Sequence, residues 1–71
     1  MISGPTDLEK ARGALSHNPI LSLRRLGVEQ AGESIVITGR VQSFYEKQMA
    51  QEAIRAVCHD IVLCNSVCVN K

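Results

Sequence analysis

The sequence predicts a small α+β domain in which two helices pack on one face of a three-stranded sheet, mixed or antiparallel, in the order α-β-β-α-β. Three observations carry this expectation. Ser34 to Val41 alternates at the period of a half-buried strand. Thr6-Asp7-Leu8-Glu9 and Ser43-Phe44-Tyr45-Glu46 are two capping boxes, in which a hydroxyl and a carboxylate three residues apart satisfy the first amides of a helix. A chain of 71 residues has room for only one core.

Residues 1–5 are small and featureless, as expected of a flexible tail, and residues 6–70 form the expected single domain. After Thr6, Leu8, Ala11 and Leu15 share one helix face with Ala14 alongside. His17-Asn18-Pro19 ends that helix, because a residue before proline avoids helical backbone. Ile20 to Leu23 reads as a connector that lays Leu21 or Leu23 over the core edge. From Arg24 the chain alternates, with Leu26 and Val28 facing one way and Arg25 and Glu29 the other. This strand pairs as a hairpin, across Gln30 to Glu33, with the central strand from Ser34 to Val41.

The central strand places Ile35, Ile37, Gly39 and Val41 on one face and Val36, Thr38 and Arg40 on the other. Glycine within a strand often marks a bulge or a close backbone approach. The second helix carries Ala50, Ala53, Ile54 and Val57 on one stripe, so Gly39 is expected beneath Ala50 and Ala53 as a close helix-sheet contact. Cys58 to Asp60 ends the helix, and Ile61 to Val69 is the last strand. Leu63, Val67 and Val69 lie opposite Cys64, Ser66 and Cys68, while Asn65 interrupts the apolar side and requires hydrogen-bond partners from a loop or helix end. The pattern leaves open whether this strand lies parallel to the central one or antiparallel to the first.

Eight basic and seven acidic residues are interspersed, giving a formal charge of +1 and no basic footprint for nucleic acid. Phe44 and Tyr45 are the only aromatic residues, so the core is aliphatic and no aromatic cage is expected. Three cysteines without framework spacing favour a cytoplasmic, reducing compartment or an excised fragment over a disulfide scaffold.

Chemistry-bearing clusters are sparse. Cys58-His59-Asp60 holds a thiol, an imidazole and a carboxylate, but consecutive side chains at a helix end diverge, so no catalytic residue is assigned. No Cys or His pair has metal-ligand spacing, and no metal or cofactor is expected. An RNA-clamping Gly-x-x-Gly loop and a phosphate-binding Gly-rich loop are both missing from the sequence. What remains is the sheet face turned away from the helices. Arg25, Val36, Thr38, Arg40, Cys64 and Cys68 are its candidate binding residues, an unusually apolar set for a face left in water.

The order of elements and several residues resemble the BON domain, a small bacterial module named for osmotic-shock and nodulation proteins. The resemblance runs through Asn18-Pro19, Val28, Ile35-Val36-Ile37-Thr38-Gly39-Arg40-Val41, the helix residues Ser43, Lys47, Ala50 and Ala53, and Leu63, Asn65, Val67 and Val69. One departure is His59-Asp60, which stands where such domains usually carry a Gly-Val step. The resemblance implies a non-catalytic binding module, periplasmic or envelope-associated, that contacts phospholipid surfaces or partner proteins. A different expectation, read from the residues themselves, is a structural or self-associating domain, a weak homo-oligomer that uses the open face or a strand edge.

Overall fold

The computed structural model describes residues 6–70, so the tail expected at residues 1–5 lies outside the described residues. Helix α1 spans Asp7–Ser16, with the Thr6 hydroxyl accepting the Glu9 amide at 3.2 Å. Ala11 and Leu15 are its buried residues, as their spacing requires. The segment read as a connector forms a one-turn helix, α2, at Leu21–Arg24. Four residues are too few for a periodic signal, which is why the sequence does not show it. Leu23 is buried in the core and Leu21 is 68% exposed, so Leu23 alone covers the core.

Strand β1, Gly27–Ala31, runs antiparallel to β2, Ser34–Thr38. The turn between them is two residues long and tighter than expected. Gly32 takes φ +62 and Glu33 keeps a negative φ, the type II′ pattern with glycine at the first central position. Beyond Gly39 the chain resumes as β3, Arg40–Val41, and helix α3 follows at Phe44–Arg55. The last strand is divided into β4, Val62–Asn65, and β5, Cys68–Val69.

The sheet is mixed. β4 lies parallel to β2, and β5 lies parallel to β3. Each partner is 28 positions further along the chain in both pairs, so the ladder keeps its register across the break. Backbone amides of Ser66, Cys68 and Asn70 donate to the carbonyls of Ile37, Gly39 and Val41, stitching the gap. The parallel crossover is made by α3, as such connections require.

All three helices lie on one side of the sheet. Val28, Ile35, Ile37, Val41 and Val67 face them together with Ala11, Leu15, Leu23, Ala50, Ile54 and Cys58. Two expectations about this face fail. Val57 is 42% exposed, because α3 stops at Arg55 and the chain turns so that Cys58 enters the core instead. Gly39 is exposed and is not beneath Ala50 and Ala53. Its φ of +124 swings the backbone out of the strand, and an added Cβ would meet Leu26 Cδ2 at 2.7 Å. Leu26, from the link between α2 and β1, fills the space expected of a helix. Ala50 is nevertheless fully buried and Ala53 partly so, packed on the remainder of the core.

Candidate functional site

The residues of the open face do not form one group. Val36, Thr38, Cys64 and Cys68 stay on the outer face, each more exposed than the inward-facing residue before it. Arg25 does not join them. It is the C-cap of α2, not a strand residue, and it lines a 430 Å³ cleft at one end of the sheet. Arg40, at the corner where the outer face meets that cleft, lines it too.

The cleft is assembled from four segments. Leu21, Ser22 and Arg25 come from α2 and its cap, Arg40, Val41 and Gln42 from β3 and the residue after it, Glu46 from α3, and Asn70 from the end of β5. Glu46 joins the segments together. Its Oε2 accepts from the Ser22 hydroxyl at 2.5 Å, and its Oε1 accepts from the Gln42 amide at 2.9 Å and the Ser43 hydroxyl at 3.4 Å. The Ser22 hydroxyl, then the Gln42 amide, hold its carboxyl below the usual glutamate range. A carboxylate occupied in this way ties α2 to α3 and is less available to neutralise the arginines.

The five arginines differ in their partners. Arg12 Nε donates to the Val28 carbonyl at 3.3 Å, Arg24 Nε to the Asn18 carbonyl at 2.6 Å, and Arg55 Nη1 to the Ile61 carbonyl at 3.1 Å. Among the described residues, Arg25 and Arg40 have no such bond, and both lie in the same cleft. Leu21 stands exposed at its side. Phe44 and Tyr45, 67% and 66% exposed, open α3 just before Glu46, so among the described residues three of the five exposed large hydrophobic residues belong to the elements at this end.

The remaining sequence candidates have structural roles. Asn65 finds the partners it was expected to need: its Nδ2 donates to the Lys47 carbonyl at 2.9 Å and its Oδ1 accepts from the Val67 amide at 3.2 Å. It thereby fastens the strand break to α3. Cys58 is buried, and burial, followed by the nearby Asp7 carboxylate, raises its thiol pKa, the opposite of an activated nucleophile. Cys64 and Cys68 are exposed thiols. Sequence reasoning missed Leu21, Ser22, Gln42 and Glu46 as cleft residues. Glu46 had a visible signal as a capping residue, but nothing local pairs it with Ser22, 24 residues away. No protein-family model and no curated protein matches the chain.

Proposed function

We propose that this is a non-catalytic, BON-like binding module that docks reversibly on an anionic phospholipid surface through the end of the sheet where Arg25 and Arg40 share a cleft. The observation that carries this reading is the division of the arginines, three occupied with backbone carbonyls and two left together beside exposed Leu21. A basic pair next to an exposed aliphatic side chain suits an interface that is charged on one side and apolar just beneath. The resemblance to BON domains favours the same class of ligand.

The expected strength is modest. Each arginine near an anionic leaflet contributes about 1 kcal/mol, and burying one leucine adds roughly 1.5 to 3 kcal/mol. The sum, on the order of 4 kcal/mol, corresponds to millimolar docking for a single domain. Such docking weakens strongly with salt, since the field falls away within a Debye length of about 8 Å at physiological ionic strength. Co-sedimentation with phosphatidylglycerol-containing vesicles at high lipid concentration tests it. Binding at low salt that is lost at high salt, and absent from neutral vesicles, supports the reading. No binding to anionic vesicles at low salt overturns it. Equal binding to neutral vesicles removes the role given to the arginines.

A further inference from the structure

The outer face of the sheet forms regular rows. Ala31, Ser34 and Val62 make one, Glu29, Val36 and Cys64 the next, then Gly27 with Thr38, and finally Arg40 with Cys68. Val36 is absent from the hydrophobic residues packed on the core, and Val62 is 63% exposed. This is a face of small and apolar side chains with one acid and one base, and it is covered by none of the helices.

Strand edges are less suited to pairing than the face. On the free edge of β1, Arg12 occupies the Val28 carbonyl. On the other edge, Arg55 occupies the Ile61 carbonyl and the Asn65 side chain takes the Val67 amide. Side chains that fill edge positions oppose strand addition by another chain. The face, by contrast, is self-complementary in charge.

We propose that two copies of this chain pair through their outer sheet faces, about a two-fold axis that crosses the strands at Thr38. A closed dimer of like faces requires a two-fold axis. If that axis ran along the central strand, Arg40 would oppose Arg40 of the second copy, two like charges at an interface. With the axis across the strands at Thr38, the Arg40 row opposes the Val36 row. Arg40 then meets Val36 of the second copy and stands one strand away from its Glu29. The same axis sets Cys64 opposite Cys68 of the second copy, twice. Of these two arrangements the charges favour the second, and the thiols report on it. This pairing shares Arg40 with the cleft but is read at Thr38, Cys64 and Cys68, which do not line it, so its failure and the failure of vesicle docking are distinguishable.

Sedimentation equilibrium of the full chain with reductant, up to about 1 mM, is the first test. A reversible dimer is expected, and a monomer throughout overturns the proposal. Thr38→Glu and Thr38→Lys each place like charges on the axis, so each alone should be monomeric, with circular dichroism confirming the fold. Mixed in equal amounts they should dimerise again, which a folding defect could not produce; no recovery counts against the axis. A bismaleimide with a short spacer gives the finer test, because facing sheets lie about 10 Å apart, too far for a direct disulfide. Each thiol adds across one maleimide double bond, with no oxidant and no leaving group. Peptide mapping of the cross-linked dimer should find a Cys64–Cys68 link between copies, abolished by either Cys64→Ser or Cys68→Ser. A Cys64–Cys64 link, or a dimer that never yields the Cys64–Cys68 link, overturns the arrangement.

Discussion

Two clefts of similar size, 430 and 370 Å³, each hold two arginines, yet they differ in how those arginines are held. In the smaller one, between α1 and β1, Arg12 and Arg24 are both tied to backbone carbonyls. Those arginines complete the fold, one covering a strand edge and the other closing the turn after α1. In the larger one Arg25 and Arg40 are left without such partners among the described residues, and the only acid is held by Ser22, Gln42 and Ser43. Residue type and position in a cleft do not distinguish an arginine that braces the fold from one left without a backbone partner. The identity of the acceptor does.

This contrast can be broken most strongly at Gly39, which sets the course of Arg40. Gly39→Val forces a side chain into φ +124 and against Leu26. Adding backbone strain to overpacking gives an expected loss of about 2 to 4 kcal/mol in urea denaturation. An unchanged midpoint would mean the break is not fixed by glycine. Asn65→Ala comes next. It removes the bonds to Lys47 and Val67 and should destabilise by about 1 to 3 kcal/mol, since the carbonyl and amide are left without partners.

Smaller effects sharpen the difference between the clefts. Arg12→Ala should lower stability by about 0.5 to 1.5 kcal/mol through the lost bond to the Val28 carbonyl. Arg25→Ala should change it by less than about 0.5 kcal/mol, as for a surface side chain with no partner. Equal losses from the two would erase the distinction drawn here. Glu46 adds a pH signature. Its folded pKa is lowered, so its contribution is full above the unfolded glutamate value of about 4.3 and is lost as pH falls through the lower folded value. Glu46→Gln should flatten that acid-side decline, measured as denaturation midpoint against pH.

Much of the fold is legible in the sequence because it rests on local periodicity. The alternation of Ile35, Val36, Ile37 and Thr38 sorts correctly into buried and open faces, and both capping serine or threonine hydroxyls accept the expected amides. Asn65 is legible from its cost, since an amide on an apolar side needs partners wherever they come from. The failures are tertiary. Gly39 signals a special backbone, but the occupant of the space above it, Leu26, reads as a strand residue beside Val28 and lies instead in the link between α2 and β1. Arg25 alternates like a strand residue, yet one turn of helix before it moves it from the sheet face to the cleft. The site is legible as two arginines that matter, and illegible as the place where they meet.

The most direct test compares two charge-matched double variants in anionic-vesicle sedimentation at low salt. Arg25→Ala with Arg40→Ala and Arg12→Ala with Arg24→Ala lower the net charge equally, and differ only in which cleft they empty. The Arg25 and Arg40 pair should lose about tenfold or more in vesicle affinity, at about 1 kcal/mol per arginine, with thermal stability retained. The Arg12 and Arg24 pair should keep most of its affinity while losing stability. Equal loss of affinity in both would mean that vesicle binding follows net charge and not the cleft, and would contradict the proposed docking.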